Sequence, residues 1–455
     1  MLCGKEPNGG SWDDGGYDCD TTAEGGFIIT GYTKSWPIND QNVYILKLDA
    51  NGDTIWTRMF GGAGADCSRG IKVLPDSGFI IAGNTGSYGG FYQFYFLRLD
   101  KNGSLKWAKY YGTNNEEQAI GVGVGHGSGF VFIGFIRDFY ITWADLIIIK
   151  TDENGNIIWQ KQYGGSGLDY GWAIRRTADG GYIAVGKTNS YGSGGYDVYL
   201  LKLDANGDTM WTRTYGGGSD DNGAWVEQLE DGGYIIVGFT RSFGSGGSDV
   251  YLIRTDNSGD TIWTRTYDGT NDDNGSKVRI CADQGFIIAG ATRSYGSIRD
   301  AYLIRTDANG DTIWTTTFGG PSLDFARGLQ IVNDGGYILA GRSFRSGVVD
   351  EVYAVRTEPD AKITEKILFD RNLKFNIAPN PFRNNLTLMY LVPRATSVNV
   401  DAYSVDGRLM KRLISQRKLV GAGSITLDTS ALPSGIYFLC LSSDHCRIAI
   451  KAIKE

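Results

Sequence analysis

The 455-residue chain holds 66 glycines against 9 prolines, with 41% hydrophobic residues and a formal net charge of −7. That mix suits short strands joined by tight turns and argues against a disordered chain, because apolar residues are plentiful. The charge divides into −13 over residues 1–373 and +6 over 374–455, and so acidic a body excludes nucleic acid as the main partner.

The opening, MLCGKEPNGG, lacks the apolar stretch of a signal peptide. No apolar run approaches the roughly 20 residues of a membrane helix. Residues 9–15, GGSWDDG, resemble the later loop 217–223, GGSDDNG. A strand should precede such a loop, so the chain reads as starting late, short of a closing strand and of an export signal.

From there a repeat takes over. Tryptophan recurs at Trp56, Trp107, Trp159, Trp211, Trp263 and Trp314, in steps of 51, 52, 52, 52 and 51 residues. Seven units are marked by Gly26, Gly78, Gly129, Gly181, Gly233, Gly285 and Gly336, each followed by Phe or Tyr. Unit five shows the pattern: a mixed strand around Val226, then YIIVGFT (234–240), VYLIRTD (250–256) and TIWTRTY (261–267). β-branched and aromatic residues favour strands, and Asn-Gly in the last turn of five units is a hairpin signal. Four strands in about 50 residues, seven times over, predict an all-β seven-bladed β-propeller over residues 1–370. A solenoid of sheets is the competing reading. Unit seven has Glu365 at the tryptophan position, so its fourth strand is either residues 363–369 or one supplied from upstream of Met1.

Residues 197–211, DVYLLKLDANGDTMW, fit a repeat written D-a-y-v-x-K-x-D-x-x-G-x-x-W. In this the chain resembles bacterial secreted β-propeller repeat proteins, from residue 9 to about 357. A looser likeness is to quinoprotein blades, which would imply eight units and a vicinal cysteine pair; the sequence has neither.

Candidate chemistry within the units is sparse. The two histidines, His126 and His445, fall in different domains, which excludes a multi-histidine metal centre. His126 lies in a glycine run with no following helix and reads as a turn residue. The DANGD turns, such as residues 49–53, space oxygens as a calcium loop does but lack the 12-residue frame; no cofactor is expected, and calcium is the one candidate. Six cysteines show no ligand spacing, while Cys440 and Cys446 flank a turn that a local disulfide could span.

Blade topology puts two sets of loops on one face. Acidic residues there (Asp66, Glu117, Asp169, Asp221, Asp273, Asp324) lie beside Trp36, Tyr88, Tyr191, Phe243, Tyr295 and Phe344. Aromatic faces stack on sugars, so this rim is a candidate glycan site, weighed against a role in building the blade. Unit three deviates, with Arg137, Asp138, Tyr140 and Trp143 in place of a Gly/Ser loop. One position of the first strand varies as Asp20, Lys72, Gly123, Arg175, Glu227, Arg279 and Gln330, and either lines a funnel or pairs across a channel.

After Phe369 the period ends. Strands LTLMYLV (386–392), VNVDAYS (398–404) and IYFLCLS (436–442), with a turn at Asp406-Gly407, predict a small immunoglobulin-like sandwich over 371–455. The opening Pro379-Asn380-Pro381-Phe382, the VDGRL turn around Gly407, LDTSALPSGIYFL with Gly435 and Tyr437, and the last-strand lysines Lys451 and Lys454 resemble the type A C-terminal sorting domain of the type IX secretion system. That resemblance implies export through the outer membrane, the secretion machinery as partner, and an extracellular or cell-surface location.

Together these readings predict an exported, non-catalytic binding or adhesion propeller for a glycan or protein ligand. The rival is an extracellular propeller enzyme, a polysaccharide hydrolase or lyase or a quinoprotein-like oxidoreductase. A hydrolase would need converging carboxylates, for which Glu116, Glu117 and Asp138 are the candidates.

Overall fold

In the computed structural model the chain is all-β, described over residues 13–455 apart from 35–40, 90, 114, 139–142, 268, 296–297, 320–322, 345–349, 358–365, 368–373, 380, 405–408 and 444–446. It forms two compact units, a ring body and a C-terminal block. In the body, seven four-stranded sheets succeed one another, each made of consecutive strands. Blade five runs from the innermost strand Asp221–Gln228 through Tyr234–Thr240 and Asp249–Thr255 to the outermost, Thr261–Tyr267. In blade seven the fourth strand is only Lys366–Ile367, within the expected stretch 363–369. Glu365 is outside the described residues.

Burial explains the pattern of each strand. The second and third strands are sandwiched between neighbouring sheets and are buried on both faces, so they are largely apolar, the third carrying one buried acid and one buried base near its ends, as at Asp197 and Lys202. The outermost strand has one face in water and alternates. Its tryptophan packs on the aromatic that opens the second strand of the next blade, with ring centres 5.8–6.3 Å apart in all six pairs from Trp56–Phe79 to Trp314–Tyr337. One turn further, Tyr215 Oη donates to the Gly259 carbonyl of the next blade at 2.6 Å, and Tyr163 and Tyr267 repeat the bond at 2.7 Å. The 52-residue period is thus the period of a blade-to-blade contact.

The turn before each tryptophan, where Asn-Gly is the hairpin signal, is longer than the two-residue turn that such a signal usually marks. It is a five-residue loop in which Gly207 N donates to the Asp204 carbonyl at 3.2 Å, with Gly207 at φ +78°. Asp204 Oδ1 accepts the N–H groups of Asn206 and Asp208 at 2.9 and 2.7 Å. The carboxylate that resembled a calcium ligand therefore ties its own backbone.

Each innermost strand carries one β-bulge, and this explains the glycine in the middle of every second strand. In blade five, a Cβ on Gly238 would sit 1.7 Å from the Asn222 carbonyl, two residues before the bulge. The other six blades give 1.7–2.0 Å at the equivalent glycine. Only glycine admits that approach.

The ring closes by packing. The first innermost strand, Asp14–Thr21, lies against the first three strands of blade seven. Tyr32 Oη donates to Asp350 across the seam at 3.0 Å.

The C-terminal block is one five-stranded sheet built on a long hairpin, Asn385–Ser404 with Leu409–Asp428. The two separate strands expected at 386–392 and 398–404 merge, because the partner strand follows both, with register shifts between Val392 and Thr396 and beyond. Lys374–Ala378 pairs with the first half of the long strand, and Gly435–Ser443 with the second. Leu386, Leu388, Val400, Leu427 and Leu439 from these elements share one apolar cluster. The Asp406-Gly407 turn lies outside the described residues, as does Cys446 and with it the candidate disulfide.

Candidate functional site

The bulges of the ring build a site. The unpaired residue is Tyr17, Arg69, Ile120, Trp172, Ala224, Ser276 and Arg327 in blades one to seven. A bulge re-aims a side chain, and all seven residues line a 390 Å³ cavity in the ring. That volume is in the range of small-ligand pockets.

Three residues further along, the variable position of the innermost strands forms a polar girdle. Lys72 Nζ donates to Asp20 Oδ2 at 2.8 Å, and Gln330 Nε2 to Asp20 Oδ1 at 2.9 Å. Arg279 Nε donates to Gln330 Oε1 at 3.0 Å and its NH1 group to Glu227 Oε1 at 2.5 Å. Arg175 approaches Glu227 to 3.6 Å. The chain of contacts runs from blade two through one, seven, six and five to four; Gly123 of blade three is the gap. Of the two sequence alternatives, these side chains pair. Lys72, Arg175, Glu227, Arg279 and Gln330 also line a second space of 500 Å³.

The first cavity is strongly cationic, unlike the acidic body around it. Besides Arg69 and Arg327, its wall includes Lys72, Arg175, Lys277, Arg279 and Arg299, against the single carboxylate Asp18. Lys277, 1% exposed, is paired with Asp18. Arg175, Lys277 and Arg279 lie 3.8, 4.1 and 4.7 Å from the Trp225 ring, whose N–H donates to Glu227 at 2.9 Å. Even counting Asp20 and Glu227 of the girdle, seven cations face three carboxylates. Low-dielectric walls focus such an excess and attract anions. Cys19, buried beside the girdle, has its thiol pushed up to about 12 by burial first, so it is inert.

The predicted rim looks different from its sequence reading. Its acidic residues, Asp66, Glu117, Asp169, Asp221, Asp273 and Asp324, are all 0–2% exposed. Asp221 Oδ2 accepts from Gly217 N at 2.9 Å and Ser242 Oγ at 2.7 Å, and Asp66 and Asp169 repeat the arrangement. These carboxylates bind the protein's own hydroxyls, which is the blade-building role weighed for them above. Tyr88, Tyr191, Phe243, Tyr295 and Phe344 are 42–46% exposed. Tyr191 Oη donates to the Gly164 carbonyl at 2.6 Å, and Tyr88 stacks on Tyr110 at 4.9 Å. They belong to the blade and also present surface.

Unit three is partly described. Trp143 packs against the apolar cluster of blades two and three, and Arg137 approaches Glu116 to 3.8 Å. Asp138 sits half-buried at the end of the same strand. Glu117 Oε1 accepts from Thr113 N and Oγ1 at 2.8 and 2.6 Å, and burial raises its pKa. Trp36 and Tyr140 lie outside the described residues. His126 is a turn residue whose N–H donates to Tyr182 Oη at 2.9 Å. Among the described residues no three His, Cys, Asp or Glu side chains group to hold a metal.

In the C-terminal block, Pro379 and Pro381 are exposed and Gly435 opens the fourth strand. Tyr437 is buried and its Oη donates to the Pro433 carbonyl at 2.6 Å. Lys451 pairs through its backbone with Phe438; Asn380 and Gly407 lie outside the described residues.

The family model "Secretion system C-terminal sorting domain" matches residues 376–455, and "Domain of unknown function (DUF5122) beta-propeller" matches residues 75–105. The regulatory protein FlaEY of Caulobacter vibrioides is 26% identical over 179 residues, which is 36% of this chain and 18% of FlaEY. Among solved structures, the Pan2 WD40 domain of Neurospora crassa is similar at 10% identity and TM-score 0.46, covering 79% of this chain and 93% of its own. PorZ, a surface component of the type IX secretion system of Porphyromonas gingivalis, is similar at 11% identity and TM-score 0.40, covering 95% and 69%.

Proposed function

We propose that this β-propeller, which carries a secretion-system C-terminal sorting domain, is exported by type IX machinery to the cell surface or beyond, and there acts as a non-catalytic binding module. Its ligand, a glycan or a protein end, enters the axial cavity. The rim aromatics Tyr88, Tyr191, Phe243 and Tyr295, with Asp138 and Trp143, are a secondary contact for a ligand longer than the cavity.

One observation carries the reading. Positions that hold blade to blade repeat almost without change, whereas the seven bulge positions hold six residue types and share a cavity. Repetition serves the scaffold; variation around a common space is what a ligand site on a rigid scaffold needs.

A glycan array probed with the full chain, with and without calcium, tests it. Ala224→Trp, which fills the cavity, should abolish binding, and alanine at Tyr191 and Tyr295 should only weaken it. Full binding by Ala224→Trp with loss in the tyrosine variants would move the site to the rim. For export, removal of residues 371–455 should leave the propeller inside the outer membrane.

A further inference from the structure

We infer that the axial cavity is built for an acidic sugar, with the carboxylate or sulfate held by Arg69 and Arg327 and the sugar ring laid on Trp172. This rests on the binding-module reading above and names its ligand class.

The argument begins with where the cavity's charges are already answered. Lys277 has Asp18, Lys72 has Asp20, and Arg175 and Arg279 share Glu227. Arg69 and Arg327 have no ion-pair partner among the described residues. Both lie against one ring, with Arg69 Cζ at 5.1 Å and Arg327 Cζ at 4.8 Å from the centre of Tyr17. They come from blades two and seven, the neighbours of blade one on either side. Arg299, which feels the charges of Asp272 and Asp273, lies 4.9 Å from Phe325 in the cavity wall. The Nε atoms of Arg69 and Arg299 are buried without a hydrogen-bond partner.

Arg69 and Arg327, gathered over one ring, repel each other. Burial first, and then the charges of Arg69 and Arg342, push Arg327 below its usual range against the pull of Tyr17. A protein keeps such a cluster at a cost in stability, and an anion between the guanidinium groups removes that cost. Guanidinium groups pair with planar and tetrahedral oxyanions through two parallel hydrogen bonds.

The opposite wall has another chemistry. In a ring of seven, blades four and five stand across the axis from blade one, and their bulge residues are Trp172 and Ala224. Trp172 is anchored edge-on, its N–H donating to Asn222 Oδ1 at 2.7 Å, and it stacks with Tyr170 at 5.9 Å. Beside it lie Ile120, Val122 and Ala173. An anchored indole next to a small residue offers a flat apolar face to a pyranose ring. A 390 Å³ space holds a sugar of one or two units.

The test is calorimetric titration of the full chain with glucuronate, glucose 6-sulfate, glucose and inorganic sulfate. The two acidic sugars should bind at least about tenfold more tightly than glucose, since charge-assisted hydrogen bonds are the stronger kind. Inorganic sulfate should compete with them, and raising salt from about 50 to 500 mM should weaken them selectively. Arg69→Gln with Arg327→Gln should erase the preference over glucose while leaving the melting temperature unchanged or higher. Arg213→Gln, on the outermost strand, is the control and should change nothing. Trp172→Ala should weaken sugars but not sulfate. Tighter binding of an oligoglucuronate than of glucuronate would identify the end of an acidic polysaccharide as the source; equal binding would identify a free acidic sugar. Equal affinity for glucose and the acidic sugars, lost in Trp172→Ala, would overturn the acidic ligand and keep the binding module. Failure of every probe with the glycan array still positive would overturn the inference alone; a silent array as well would remove both.

Discussion

Gln330 and Asp20, 310 residues apart in sequence, meet across the seam of the ring, Nε2 donating to Oδ1 at 2.9 Å. Asp20 also accepts from Lys72 Nζ at 2.8 Å and from Val73 N at 2.9 Å, and is 3% exposed. Asp20→Ala would take their acceptor from Lys72 Nζ, Val73 N and Thr21 N, and would leave Gln330 Nε2 only the longer bond to the Cys19 carbonyl, at the joint between blades seven, one and two. We expect a loss of about 2–4 kcal/mol, the lower part of the range for a broken buried pair because Lys72 is partly solvated. Calorimetry of the full chain should show the propeller transition falling and that of the C-terminal domain unmoved.

The bulge and its glycine stand or fall together. Gly238→Ala would put a methyl group 1.7 Å from the Asn222 carbonyl, a backbone atom that can move only if the bulge is undone. The expected cost is about 3 kcal/mol or more. Gly218→Ala, with nothing within 4 Å of its Cβ, should be neutral. Urea denaturation of the two variants separates a steric requirement from a general need for glycine.

Repetition made the fold legible and hid the site. The tryptophan period and the Gly-aromatic markers recur because each blade makes the same contact with the next, so counting them counts blades. The axial position Asp20 to Gln330 was also visible, since it varies where its neighbours do not. Its pairing was not, because hydrogen bonds between blades 50 or 310 residues apart leave no local pattern. The cavity had a signal that went unused: a glycine in the middle of an apolar strand, as in YIIVGFT, marks the close approach of a bulge on the adjoining strand. Tyr17, Arg69, Trp172 and Arg327 would have followed from it. The rim carboxylates stayed ambiguous for the opposite reason, since acidic residues in glycine-rich loops suit a ligand face and a blade contact alike until their partners, Ser87, Ser190 and Ser242, are placed.

Lys454 is 7% exposed, and its Nζ donates to the carbonyls of Thr429, Ser430 and Leu432 at 2.7, 3.2 and 2.6 Å. The last-strand lysine thus closes the segment before the fourth strand of the sorting domain. Lys454→Met keeps the length of the side chain and leaves the Ser430 and Leu432 carbonyls unanswered, Thr429 keeping the bond from Leu432 N, for an expected loss of about 2–4 kcal/mol. Limited proteolysis should cut the C-terminal block of the variant first, and surface display in an exporting cell should fall with it. Normal display of a domain shown to be destabilised would mean that the machinery reads a linear signal.

Paired carboxylates make the propeller's stability depend on pH in an unusual direction. Asp197 Oδ1 and Asp221 Oδ2 lie 1.8 and 2.5 Å from where a Cβ on Gly216 would be, so the two acids face each other over one glycine. Asp145 and Asp169 do the same over Gly164. Burial first, and then the charge of the facing acid, raise the pKa of both Asp197 and Asp145, in the case of Asp197 against a hydrogen bond from Ser193. A carboxyl with a raised folded pKa holds its proton more tightly in the native state, so its favourable contribution is complete below the unfolded value of about 3.9 and is lost as pH rises through the folded value. Blade one avoids this, with Asn42 facing Asp66 over Gly61. Asp197→Asn copies that solution: an amide oxygen can still accept from Ser193, and its NH₂ can donate to Asp221. The variant should be more stable than the parent at pH 8, with the gain shrinking as pH falls and gone below about pH 4. Thermal melts across that range check it; a gain that grew toward acid would mean that Asp197 is stabilised as an anion.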